Sequence, residues 1–358
     1  VQKTWVAPVP DDSKPLTVLL SLSPPDGSTR YVDHIIGSNA PGVTFRFFTW
    51  RTALTRRYDV FHVHWPELLV RDDRPVKAFL RRRALGVFLL ALRMRRVPIV
   101  RTIHNLRPHE SGHSAEERAL DAIDRRTRLF IRLNPTSPLP DAASTEATVV
   151  TIPHGHYRDR FHSDAEPVPG RLVHFGLIRP YKGVETLLAA FRALDGPDLR
   201  LRIAGRPSGG LGEVIEREQA KDSRVSSVLR FLPDDELVDE VARAELVVLP
   251  YRHMHNSGAI LVALSLRRPV LVPSSPANAV LADEVGPGWV QQYEGMLAPG
   301  ILGDALERIR LVPPASPPQL DGRDWETIGR ALRGAYLQAL ARSPGAAERT
   351  PAQPEPVR

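Results

Sequence analysis

The sequence contains no cysteine, which excludes a disulfide framework, thiolate metal ligation and a cysteine nucleophile. It has no apolar run long enough to cross a bilayer, and its first residues show no secretory signal pattern. A cytoplasmic protein is the expectation. Lysine occurs only five times among 48 basic residues, so arginine carries nearly all the positive charge and each lysine stands out. The acidic stretches "RDDR" and "PDDE" lack the D-x-D arrangement that holds a metal on a nucleotide diphosphate, so neither a metal nor another cofactor is expected. Short tandem repeats are also missing.

What is present suits an ordinary globular chain. At 358 residues, 42% hydrophobic and 25% charged, there is material for two domains with separate cores. The net charge of +7 is lopsided: residues 1–160 hold 25 basic against 16 acidic side chains, and the remainder 23 against 25. A basic first half fits a nucleic acid, an anionic membrane or a phosphorylated substrate. Nucleic acid is the weakest of the three, because no aromatic platform is interleaved with the basic residues.

Strand-like and helix-like runs alternate twice over. "LTVLLSL", "VFHVHW", "VPIVRTIHN" and "LFIRLNP" read as strands in the first half; "RLVHFGLI", "LRLRIAGRP", "ELVVLPY" and "PVLVP" do so in the second. This pattern predicts an α/β protein of two Rossmann-like, doubly wound domains facing a central cleft. The expected organisation is 1–163 for the N-terminal domain and 164–323 for the C-terminal domain. A helix over 324–342 and a disordered tail over 343–358 complete it.

Chemistry should gather at the strand ends. In "LPYRHMHNSGAILVALSLRRPVLVP", a buried strand runs through Tyr251 into a polar knot, and then into a helix opening on Asn256, Ser257 and Gly258. Two readings fit: a helix N-cap, or bare N–H groups facing an anion. "GLIRPYKG" places Arg179, Lys182 and Gly183 at a second helix start, a combination suited to a diphosphate or to an exposed cationic turn. Gly205 and Arg206 in "IAGRP" mark a third strand end. Histidines recur at these ends, among them His64, His104, His109 and His154. Glu67 and Glu110 are the acidic candidates for a general base, or else salt-bridged loop carboxylates. Residues 77–96 hold seven basic and no acidic side chains around an apolar centre. They read as a core helix with solvated ends or as a helix lying on an anionic membrane.

The order "GLIRPYKG", "IAG", "FLPDDEL", "LPY…NSGA…RPVLVP" resembles the C-terminal half of GT-B-fold glycosyltransferases. "FHVHWPE" and "TIHNLRPHE" resemble a bacterial branch that builds exopolysaccharide on lipid carriers, including GDP-mannose-dependent β-mannosyltransferases. The resemblance covers roughly residues 15–340. It implies that the C-terminal domain binds a GDP- or UDP-sugar, with Arg179, Lys182, Ser257 and Gly258 on the diphosphate and Phe231 and Leu232 at the base. The N-terminal domain would then take a polyprenyl- or oligosaccharide-linked acceptor, with His64, His104, His109 and His154 near the sugar. Such an enzyme would be cytoplasmic or peripheral on the inner face of the plasma membrane. One departure concerns mechanism: the paired glutamates of many retaining relatives, Glu-x7-Glu, fall here on Met254 and Val262. The expected reaction is therefore metal-independent transfer of a sugar, first choice mannose, with inversion. The rival readings are a nucleotide-sugar 2-epimerase of the same fold and a non-catalytic nucleic-acid binder.

Overall fold

The computed structural model describes residues 15–24, 35–37, 40–104, 114–252 and 257–341. Backbone contacts divide the chain into two units, the first Val1–Leu133, Ser137–Ile152 and Trp325–Arg358, the second Asn134–Thr136 and Pro153–Asp324. The main crossing falls between Ile152 and Pro153, ahead of the expected boundary at 163, and the last helix belongs to the first unit. Glu110, His109 and Asn256, like the tail 343–358, lie outside the described residues.

In the first unit, six strands form one parallel sheet in the order β2-β1-β3-β4-β5-β6. They are β1 (Leu16–Leu20), β2 (Val43–Phe47), β3 (Val60–Val63), β4 (Ile99–Ile103), β5 (Thr127–Arg132) and β6 (Thr148–Thr151). Between them run α1 (Trp50–Thr55), α2 (Pro75–Met94) and α3 (Ser114–Asp124). Alternation along the strands feeds two cores: Val18 and Leu20 face one side with Val100 and Ile131, while Leu19 faces the other with Phe61 and Val63. Leu85, Phe88, Leu89 and Leu92 of α2 cover that second side.

The second unit repeats the plan with order β12-β11-β10-β7-β8-β9, again all parallel. Its strands are β7 (Arg171–Phe175), β8 (Arg200–Ala204), β9 (Val225–Val228), β10 (Leu246–Val248), β11 (Val270–Pro273) and β12 (Val290–Tyr293). Its helices are α4 (Val184–Arg192), α5 (Leu211–Lys221), α6 (Asp234–Ala242), α7 (Gly258–Ser265), α8 (Pro276–Val285) and α9 (Pro299–Leu311). In each sheet the order reverses once, between β1 and β3 in the first unit and between β7 and β10 in the second. A doubly wound sheet opens its ligand crevice at the carboxyl end of that reversal.

The closing helix α10 (Trp325–Ala341) presents Trp325, Ile328, Leu332, Tyr336 and Ala339 at helical spacing to the core over Val18, Leu20 and Ile131. Tyr336 is fully buried, and its hydroxyl lies 2.8 Å from Nδ1 of His62 in β3. The other ring nitrogen of His62 meets the Thr102 hydroxyl at 2.8 Å, so both polar atoms of a buried imidazole are satisfied. Burial, reinforced by electrostatic coupling to the neighbouring imidazoles of His64 and His104, holds His62 well below its ordinary pKa, and it stays neutral.

Tyr336→Phe keeps the packing but strands one nitrogen of His62. The expected loss is about 1–3 kcal/mol of unfolding free energy, read as a lower urea midpoint at unchanged slope. An unchanged midpoint would show that α10 is held by its apolar stripe alone.

Candidate active site

In the second unit the polar side chains collect around the reversal between β7 and β10. After β7 the chain turns at Gly176, passes Arg179 and makes a 3-10 turn, Pro180–Lys182, before α4. Gly183 has φ 68°, and a Cβ there would collide with the Pro250 carbonyl on the neighbouring loop. Only glycine allows that approach. Gly205, at the end of β8 with φ 153°, is equally constrained, because a side chain would meet the Gly176 carbonyl. These two glycines let the β7 loop lie against those of β8 and β10.

Lys182 folds back over the strand end. Its Nζ stands 4.8 Å from the Tyr251 ring centroid, and a Cβ on Gly176 would lie 3.6 Å from it. Among the described residues no carboxylate pairs with this ammonium. Burial lowers its pKa to about 8, the charge of Tyr181 opposing and that of Arg179 adding to the shift. Arg179 is exposed at the start of the turn. Tyr251 itself is buried, which raises its hydroxyl pKa, with nearby Ser257 opposing part of that rise; among the described residues the hydroxyl has no hydrogen-bond partner.

Ser257 is the N-cap residue of α7 and makes no side-chain cap bond. The helix therefore starts with backbone donors that its own cap leaves open. Gly258 is close-packed: a Cβ there would lie 3.1 Å from the Tyr157 hydroxyl and 3.4 Å from His154 Nε2. The glycine thus allows close contact with His154 and Tyr157, a packing role beside the two the sequence had offered for this helix start, an N-cap and an anion site. His154 Nδ1 lies 2.8 Å from the Gly155 carbonyl and so carries its proton, turning the Nε2 lone pair to the helix start. The structure thereby joins Lys182, Tyr251, Ser257, Gly258 and His154 in one cluster. Arg206 and Phe231 are exposed and Leu232 is buried, on the loops after β8 and β9 at the same sheet edge.

One residue of this cluster had no place in the sequence reading. His174, in the middle of β7, is fully buried, with Nδ1 2.9 Å from the Val248 carbonyl. Among the described residues its Nε2 has no hydrogen-bond partner, and burial, aided by the Lys182 charge, lowers its pKa to about 4. The available signal was a lone imidazole inside the apolar run "RLVHFG".

In the first unit, His64 follows β3 at the other reversal. It is buried, its backbone N–H donates to the Ser21 hydroxyl, and its Nδ1 lies 3.0 Å from His104 Nε2. Burial lowers its pKa to about 3. His64 therefore touches His104 from within the unit, where the sequence reading put it beside a sugar. His104 is partly exposed at the end of β4, its ring stacked on Trp65 at 4.3 Å. Glu67 sits in the 3-10 turn Pro66–Leu69 among charges that already pair: Arg71 with Glu116 at 2.7 Å, and Arg101 with Asp124 in the interior. Burial raises its carboxyl above the ordinary value, opposed by a backbone hydrogen bond and by Arg71 and Arg101.

The buried ammonium has a sign-definite consequence. Lys182 is protonated in both states below pH 8, and between 8 and its ordinary 10.5 the unfolded chain binds the extra proton. The ligand-free protein therefore carries a penalty of about 3 kcal/mol at neutral pH, relieved as pH rises through that window. Lys182→Met should be more stable than the wild type at pH 7 by about that amount, with the two denaturation midpoints converging near pH 10.5. A gap that does not change with pH would assign the effect to packing.

Residues 169–301 match the family described as Glycosyl transferases group 1. A curated relative, the GDP-mannose:glycolipid 4-beta-D-mannosyltransferase of Xanthomonas campestris pv. campestris, is 44% identical over 336 residues, covering 93% of this chain and 95% of its own. Among solved structures, Anabaena HepE in complex with UDP and glucose aligns with TM-score 0.61 at 16% identity, covering 91% of this chain and 97% of that one. Sucrose-phosphate synthase from Thermosynechococcus elongatus gives 0.59 at 14% identity, covering 90% and 94%. At such identities the likeness establishes the fold, two parallel-sheet Rossmann-like domains of the GT-B kind. Identity of 44% along nearly the whole chain shows more: this protein belongs to the group 1 glycosyltransferases, enzymes that move a sugar from a nucleotide-sugar donor.

Proposed function

We propose that the enzyme transfers mannose from GDP-mannose to a hydroxyl of a glycolipid, the acceptor sugar being carried on a polyprenyl or oligosaccharide chain. The observation that carries the reading is the Lys182 ammonium, partly withdrawn from water with no counter-ion among the described residues at the carboxyl end of the sheet. A nucleoside diphosphate supplies the missing charge. Lys182 and the exposed Arg179 would grip it, and the open N–H groups at the start of α7, beside Ser257 and Gly258, would take the phosphate next to the sugar. Gly183 and Gly205 would shape the strand-end loops; Arg206, Phe231, Leu232 and Asn256 would border the nucleotide. The name of the Xanthomonas relative supports mannose and a glycolipid for this chain as well.

A β-mannoside made from an α-linked donor requires inversion, a single displacement with a base on the far side of the sugar. The first unit would supply that base and hold the acceptor. His104 has the clearest support of the three candidates: it is partly exposed, fixed against Trp65 and hydrogen-bonded by a neutral His64, the arrangement of a base oriented by a second group. Glu67 is surrounded by paired charges, which fits a structural carboxylate. Glu110 remains a candidate by sequence. A glycolipid acceptor would bring the enzyme to the inner face of the plasma membrane as a peripheral protein.

Losing one charge-assisted contact to the diphosphate should weaken binding by about tenfold to a hundredfold. Lys182→Ala is expected to raise the Kd for GDP by that factor in calorimetry and to leave guanosine unchanged. Equal effects on both ligands would remove Lys182 from the phosphate site. In a thermal-shift comparison, GDP and GDP-mannose should raise Tm more than UDP and UDP-glucose at equal concentration, and the reverse order would overturn the choice of donor. His104→Ala should lower turnover by about two orders of magnitude with donor affinity intact. Turnover lost in Glu110→Gln and retained in His104→Ala would move the base to Glu110.

A further inference from the structure

Helix α2 is apolar on two opposite sides. Ala78, Leu85, Phe88, Leu89 and Leu92 point into the first unit's core. Val76, Phe79 and Leu80, then Val87, Leu90 and Met94, lie on the outward side with Arg83 between the two groups, and each of the six is between 48% and 75% exposed. A helix that only covers a core turns a polar face to water. Scattered surface leucines need no explanation, but six large apolar side chains in one stripe do.

From Lys77 to Arg96 the charge has one sign. Lys77, Arg83, Arg93 and Arg96 are exposed along the helix and just beyond it, and no acidic residue occurs between 77 and 96. The Arg83 guanidinium stands 5.0 Å over the Phe79 ring, a long side chain whose apolar stem can lie along apolar surface while its charge stays in water. The face also continues onto α1. Arg95 donates to the carbonyls of Ala53 and Leu54, fixing the end of α1 beside the end of α2, where Leu54, Arg56 and Arg57 are exposed. Arg81 is already engaged: its guanidinium bonds the Arg71 carbonyl and lies 3.0 Å from Asp72. Among the described residues no helix is long and apolar enough to cross a membrane, so this face can lie on a bilayer and not span it.

We propose that the outward face of α2, extended by the last turn of α1, docks on an anionic lipid bilayer. The apolar stripe would sit at the acyl boundary and the arginines at headgroup level. A soluble protein partner fits less well, because the cationic rim carries none of the mixed charge that fixes register between two proteins.

The test is flotation of the intact protein with phosphatidylcholine vesicles and with vesicles that also carry phosphatidylglycerol, without donor or acceptor. Its failure would therefore leave the transfer reading untouched, and failure of that reading would leave this one standing. The wild type should float with the anionic vesicles and weakly with the neutral ones. Val87→Asp with Leu90→Asp, both at exposed positions, should lower the partition coefficient at least tenfold with an unchanged melting curve. Arg93→Glu with Arg96→Glu should lower it by about fivefold per charge on anionic vesicles and leave the neutral ones unaffected. Arg217→Glu on exposed α5 should change nothing. Equal binding to both vesicle types, or wild-type binding by Val87→Asp with Leu90→Asp, would overturn the proposal. So would a vesicle-free dimer that the same pair of substitutions splits, which would assign the face to a second copy.

Discussion

Where the order of a parallel sheet reverses, the loops after the two adjoining strands leave toward opposite faces, and the fold has nothing of its own to place between them. The second unit depends on this gap between β7 and β10. Lys182 enters it from one side, and Tyr251 and Ser257 border it from the other. Two glycines at strand ends make the closeness sterically possible. The first unit repeats the arrangement with different chemistry, Ser21 and His64 meeting across the reversal between β1 and β3.

The two reversals differ in what they leave unsatisfied. In the first unit the histidines pair off: His62 with Tyr336 and Thr102, His64 with His104. His62 and His64, hydrogen-bonded and held neutral by burial, form an interior from which the His104 ring emerges. In the second unit a cation over the Tyr251 ring and a bare imidazole nitrogen have no carboxylate or hydrogen-bond partner among the described residues. Buried polar groups left open in this way are unfavourable in the absence of a ligand and become favourable contacts with one. The free protein thus gives up stability at the point where the donor's charge would return it.

Local motifs were the legible part of the sequence. "GLIRPYKG" specifies a strand end, a turn and a helix start from proline, glycine and lysine alone, and the structure forms these elements there. The alternating strands and helices likewise led to the doubly wound architecture. Features set by distant partners were not legible. His174 looks like one more residue of a strand until the Val248 carbonyl, far along the chain, fixes its tautomer. Gly258 looked like room for a ligand because Tyr157 and His154 come from a loop a hundred residues earlier. The stripe on Trp325–Ala341 shows that a helix is buried without showing which core receives it. β12, read "VQQY", is too polar for its strand pattern to stand out. With α2 the difficulty was symmetry, since two apolar sides leave no polar face to point outward.

The position of α10 bears on the order in which the protein is made. Domains fold largely as units during synthesis, the earlier ones first. Here the core beneath Leu16, Val18 and Leu20 is closed by Trp325, Leu332 and Tyr336, which leave the ribosome after the whole of the second unit. The first unit to be synthesised is therefore the last to complete its core. Until α10 emerges, one face of its sheet stays uncovered, so a nascent chain stalled before residue 325 would hold a finished second unit beside an unfinished first one.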